Sequence, residues 1–148
     1  MPISVKALGH VVLRVRSLER SVPFYRDVLG MKEVARYRGM MVFFSFGQNH
    51  HDLALMQIGP QAEPPDPYTV GMYHFALKVG DSLEELRAWK TKLDARSIPL
   101  VGMSDHRVSQ SLYIRDPDGI EIELYVDADP EIWKKDPSAV ATIDPLII

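Results

Sequence analysis

Cysteine is absent from the 148 residues, so no disulfide staples the fold and no thiolate serves as nucleophile or metal ligand. No apolar run approaches the ~18 to 20 residues of a membrane span, and the first residues lack the apolar stretch of a secretory signal. The expected setting is therefore the cytoplasm, with no membrane partner. Lysine and arginine clusters are also missing. With a formal net charge of -3, the chain carries no electrostatic footprint for nucleic acid. What remains is ordinary for a globular protein, 46% hydrophobic and 25% charged, in a chain long enough to bury a core.

The most informative feature is a phrase that occurs twice, Gly9-His10-Val11-Val12-Leu13-Arg14-Val15 and Tyr73-His74-Phe75-Ala76-Leu77-Lys78-Val79. Around each copy the same order of elements is predicted. The first runs as a strand at residues 7–15, a helix at 21–29 and strands at 32–37, 40–46 and 52–58. Ser21 is the expected N-cap there, Pro23 sits in the first turn and Gly30 is the stop. The second runs as a strand at 72–79, a helix at 82–95 capped by Asp81 or Ser82, and strands at 99–104, 109–115 and 119–126. The last two are joined by Asp116-Pro117-Asp118-Gly119, a turn by composition. The expected fold is α+β: tandem βαβββ modules at residues 5–59 and 70–126 within one domain, 1–126. Residues 127–148 are expected to form an extended tail that packs on the domain or on a partner subunit through Ile132, Trp133, Ile143, Leu146, Ile147 and Ile148.

Strand alternation assigns the faces. Val11, Leu13 and Val15, and in the copy Phe75, Leu77 and Val79, form an apolar face for the helices. His10 and His74 point the other way, with Val12 and Arg14 or Ala76 and Lys78. The strand Gly119-Ile120-Glu121-Ile122-Glu123-Leu124-Tyr125 offers carboxylates in the same alternating style. Two histidines and a carboxylate on rigid strands are the ingredients of a facial-triad metal site. A lone strand histidine is ordinarily a hydrogen-bonded structural residue; its recurrence at equivalent points of a repeat favours ligation.

These stretches, together with Ser21-Val22-Pro23-Phe24-Tyr25-Arg26-Asp27-Val28-Leu29-Gly30-Met31 and Asp116-Pro117-Asp118-Gly119-Ile120-Glu121-Ile122-Glu123-Leu124, resemble the vicinal oxygen chelate superfamily, which includes glyoxalase I, fosfomycin-resistance proteins and extradiol ring-cleaving dioxygenases. The resemblance implies an open mixed β-barrel around a divalent metal held by His10, His74 and Glu123, with Glu121 the weaker carboxylate. Glyoxalase I places a glutamate where the repeat alignment puts Leu55, and a leucine cannot bind a metal. The open positions left by three ligands suit Fe(II), with Mn(II) an alternative.

Asn49-His50-His51-Asp52-Leu53-Ala54-Leu55 resembles the extradiol dioxygenase segment whose histidine is the acid–base residue, which implies that role for His51, expected on the strand face of Leu55. Ser104-Asp105-His106-Arg107-Val108-Ser109-Gln110-Ser111-Leu112-Tyr113 resembles the segment supplying a substrate-contacting histidine and tyrosine, which implies His106 and Tyr113. An imidazole with a pKa near ~6.5 suits removal of a catechol proton at neutral pH. The expected activity is extradiol cleavage of an aromatic diol by O2, in a homo-oligomer. Two alternatives stand beside it: a metal-dependent isomerase, epimerase or thiol transferase of the same superfamily, and a metal-free protein that sequesters a small aromatic or drug.

Overall fold

Two sheets of matching topology carry the repeat. In a computed structural model that describes residues 2–148, the chain divides into two compact units between Pro64 and Pro65. The first holds β1 (Val11–Val15), α1 (Leu18–Pro23), β2 (Lys32–Tyr37), β3 (Met41–Ser45) and β4 (Leu53–Gln57). The second holds β5 (Phe75–Gly80), α2 (Leu83–Ala95), β6 (Gly102–Asp105), β7 (Ser109–Arg115) and β8 (Glu121–Asp127), followed by α3 (Glu131–Lys135) and β9 (Asp144–Pro145). The sheet orders are β1-β4-β3-β2 and β5-β8-β7-β6-β9. In each, the opening strand runs parallel to the closing strand of its own module. The α+β class and the tandem βαβββ order are thus both present.

The expected faces follow from burial along the strands. In the first unit Leu13, Val15, Val42, Phe44, Leu53 and Leu55 are buried, and Tyr25 packs on Phe44 with ring centroids 6.3 Å apart. In the second, Leu112, Ile114, Ile122, Leu124 and Val126 are fully buried, as are Leu86 and Leu93 of α2. Ser82 caps α2 as expected: its hydroxyl oxygen accepts from the Glu85 amide at 3.3 Å, while the Glu85 carboxylate accepts from the Asp81 amide at 2.8 Å. The first contact satisfies an amide that the helix itself leaves without a partner, and the second ties the residue before the cap to the first turn.

Three expectations are corrected. The first helix begins at Leu18 rather than at 21, and Ser21 is buried inside it instead of capping it. Pro23 falls within this helix and brings no N–H; beyond it, Phe24–Val28 form a π-turn in which the Leu29 amide donates to the Phe24 carbonyl at 3.0 Å. The tail is not simply extended. It contains α3 and a 3-10 turn at Pro137–Ala141, and β9 pairs with β6 through Pro145 opposite Ser104 and Asp144 opposite Asp105. Finally, β1 and β5 start at Val11 and Phe75, so His10 and His74 lie immediately before their strands.

Candidate functional site

Each unit gathers its own share of the candidate residues. In the first, the His10 and His51 rings lie 4.3 Å apart. His51 also meets His50, with 2.5 Å between their Nδ1 atoms, and the edge of Phe43 at 5.5 Å. Desolvation of the ring, with His10 and His50 nearby, holds the His51 pKa below the ordinary imidazole value, which favours the neutral, proton-accepting form. The loop leading into β4 is set by Asp52, whose carboxylate accepts from the Phe46 amide at 2.8 Å and the Asn49 side-chain amide at 2.9 Å.

The expected placement of Leu55 beside His51 is not what the structure shows. Leu55 is paired with Leu13 and Val42 and is fully buried among them. Directly opposed residues share a sheet face, so the β4 side chains that share a face with Val12 and Arg14 are Ala54 and Met56. β4 starts only at Leu53, which leaves His51 in a loop where strand alternation does not apply. Neither Ala54 nor Met56 supplies the hard oxygen donor of a four-ligand glyoxalase-type site.

In the second unit the constellation is denser. Tyr113 stands opposite Glu123, and Ala76 pairs with Glu123 from the other side. The face opposite the buried Leu112, Ile114, Ile122 and Leu124 therefore carries Ser111, Tyr113, Glu121 and Glu123. His74 Nε2 lies 3.0 Å from Glu123 Oε2, and its Nδ1 is buried without a hydrogen-bond partner, with Glu121 Oε1 3.7 Å away. The His74 ring meets Tyr113 edge-on at 5.6 Å. Tyr113 Oη is 2.8 Å from His106 Nε2, and His106 Nε2 is 3.9 Å from Glu123 Oε1. Burial first, and then the carboxylate of Glu123, push the Tyr113 pKa up to about 12, so its hydroxyl keeps its proton at neutral pH.

Two residues went unassigned in the sequence reading. Ser111 is fully buried, and its hydroxyl donates to Glu123 Oε1 at 2.5 Å. Its even spacing from Tyr113 was the available signal. The other is Thr142, whose backbone carbonyl lies 2.7 Å from His106 Nδ1. No sequence signal marks a backbone carbonyl.

Among the described residues no three histidine, aspartate or glutamate side chains are gathered as a ready-made metal cluster. His74 and Glu123 are brought together, and His10 sits beside His51 in the first unit. The donors nonetheless suit a divalent cation: an imidazole nitrogen and a carboxylate oxygen converge at 3.0 Å, and the other nitrogen of that ring is an orphaned polar atom in a buried setting, an arrangement that is costly unless something polar completes it. Imidazole with carboxylate is a donor pair for first-row divalent metals.

Comparison with known proteins identifies the family. Residues 7–124 match the family model described as Glyoxalase/Bleomycin resistance protein/Dioxygenase superfamily. A catechol-2,3-dioxygenase of Bacillus subtilis is 34% identical over 130 residues, 87% of this chain and 44% of that protein. A biphenyl-2,3-diol 1,2-dioxygenase of Rhodococcus globerulus is 34% identical over 122 residues, 80% of this chain and 62% of that protein. The chain thus spans about half the length of these curated relatives. Among solved structures, a lactoylglutathione lyase from Agrobacterium tumefaciens superposes with a TM-score of 0.65 at 31% identity, covering 87% of this chain and 97% of that one. The chain belongs to the glyoxalase/bleomycin resistance protein/dioxygenase superfamily.

Proposed function

We propose that this protein is a metal-dependent extradiol dioxygenase that opens a catecholic ring beside its paired hydroxyls with O2. The observation that carries the reading is the face of the second unit on which His74 and Glu123 converge at 3.0 Å beside the hydrogen-bonded pair Tyr113 and His106. His10, His74 and Glu123 would hold the metal, Fe(II) or alternatively Mn(II). When bound, it would supply Lewis acidity and hold the two co-substrates in one place. His51, kept neutral, would take a proton from a catechol hydroxyl at Nδ1 or Nε2 and return it later. Tyr113, kept protonated, would fix the orientation of the substrate oxygen, and His106 would hold Tyr113. The buried Ser111 would hold Glu123 in one rotamer.

Loading the protein anaerobically with Fe(II), adding a panel of catechols and admitting air tests this reading. Oxygen uptake with a coloured ring-opened product is expected, and a His51→Asn variant should lose about 100-fold in kcat, the ordinary worth of a general base. Silence across the panel would remove the proposal. A second reading has one observation in its favour: the near full-length match to a lactoylglutathione lyase structure at 31% identity. It makes the chain a metal-dependent isomerase. Turnover of lactoylglutathione by the protein loaded with a divalent metal, without oxygen uptake, would establish it. Met56 and Ala54, standing where a fourth hard donor would be wanted, count against it.

A further inference from the structure

We propose that the C-terminal segment positions the site: the backbone carbonyl of Thr142 fixes the tautomer of His106 and through it the direction of the Tyr113 hydroxyl. A carbonyl oxygen can only accept, so the 2.7 Å contact with Thr142 requires His106 Nδ1 to carry a hydrogen. In the neutral ring Nε2 is then bare and acts as an acceptor. At 2.8 Å from Nε2, the Tyr113 hydroxyl then gives its one hydrogen to that nitrogen, while Glu123 Oε1 accepts from Ser111. The opposite tautomer would set an Nε2–H against that hydroxyl and leave the Thr142 carbonyl facing a bare nitrogen.

The carbonyl is itself held from both sides. Before it, the Thr142 amide donates to the Ala139 carbonyl at 3.0 Å, and Ala139 is 2% exposed. After it, β9 adds to the edge of β6, and the buried Leu146 anchors the chain beyond. β6 in turn leads directly into His106, whose amide donates to the Ser109 carbonyl at 2.9 Å. One strand pairing therefore fixes both ends of the Thr142–His106 contact. The inference rests on the reading of Tyr113 as a substrate-facing group. Thr142 touches no substrate and acts only through His106, which makes it a positioning residue.

The decisive measurement needs no metal and no substrate. Long-range proton–nitrogen correlation spectra of histidine-labelled, metal-free full chain at mildly alkaline pH report which ring nitrogen carries hydrogen. His106, assigned by its loss in a His106→Gln variant, should appear as the Nδ1–H form. Thr142→Ala keeps the carbonyl and should leave that signal unchanged, while a chain ending at Ala141 should show His106 as an Nε2–H or averaged ring. Should that truncation fail to fold, Leu146→Ala, which only loosens the anchor, should move the signal part of the way. An Nε2–H or fully protonated ring in the intact chain, or an Nδ1–H ring that survives loss of the carbonyl, overturns the proposal. For a catechol the intact protein turns over, the chain ending at Ala141 and Leu146→Ala should lower kcat, by up to about tenfold, with a smaller change in KM, as a misplaced orienting group does, while Thr142→Ala should leave kcat unchanged. Failure of every catechol would sink the dioxygenase reading while leaving the tautomer result standing.

Discussion

Replacing Ser111 with alanine removes one oxygen atom and, on the proposed function, should weaken metal binding. The hydroxyl is fully buried and donates to Glu123 Oε1 at 2.5 Å, a contact to a charged acceptor. Such a hydrogen bond contributes about 1.5 to 3 kcal/mol, more than a neutral one. The Glu123 side chain is 12% exposed, so water can replace part of the lost contact, which places the expected effect near the lower end, about 1.5 kcal/mol. At 1.4 kcal/mol per decade this is about tenfold in the dissociation constant for metal, within the range by which groups that orient a ligand tune metal affinity. Calorimetric titration of the metal-free protein with Mn(II) measures it without redox side reactions. Tenfold weaker binding with unchanged stoichiometry is expected. An affinity within twofold of the parent would refute the assignment of Glu123 as a ligand braced by Ser111.

His74→Ala should lose affinity by more than the roughly 100-fold cost of disturbing a supporting group, and the protein purified without chelator should come out depleted of metal; equal metal content in variant and parent would dismiss the site. Leu124, fully buried between β5 and β7, should cost about 3 kcal/mol as Leu124→Ala, whereas Leu83→Ala, 37% exposed at the start of α2, should cost well under about 1 kcal/mol; urea unfolding reads both. The amides of Phe46 and Asn49 hold the Asp52 pKa below its ordinary value, so its contribution is present above the unfolded carboxylate pKa and lost as pH falls through the lower folded value. Asp52→Asn should accordingly flatten the acid limb of a stability–pH profile, and an unchanged limb would show that another carboxylate governs it.

The repeat was legible because it is written in side chains. His10 and His74 sit in two copies of one phrase, and the alternation of Leu13 and Val15, and of Phe75 and Leu77, marks the helix-facing side. The α2 cap was expected at Asp81 or Ser82, and Ser82 supplies it. The errors arose where periodicity stops. His51 lies outside β4, so counting by twos along it misplaced Leu55, which in fact packs on Leu13. Ser21 has the chemistry of a cap, yet Leu18, Val22 and Tyr25 have core to bury, and extending the helix upstream to Leu18 buries it. The tail's two-residue strand forms by pairing with β6, and its link to His106 is made by a peptide oxygen common to every residue type.

The pairing of β9 with β6 has a consequence for how this protein avoids sticking to itself. An unpaired strand is a template for any passing chain, and the two modules answer that hazard differently. In the second, the C-terminal segment covers the Ser104–Asp105 half of the outer strand β6. In the first, β2 ends the sheet and carries Lys32, Glu33 and Arg36, with a bulge between Glu33 and Ala35, charges and a kink that discourage strand addition. Clipping the tail would therefore strip the second module of its gatekeeper, and solubility, measured by light scattering at rising concentration, should decline even where the fold survives.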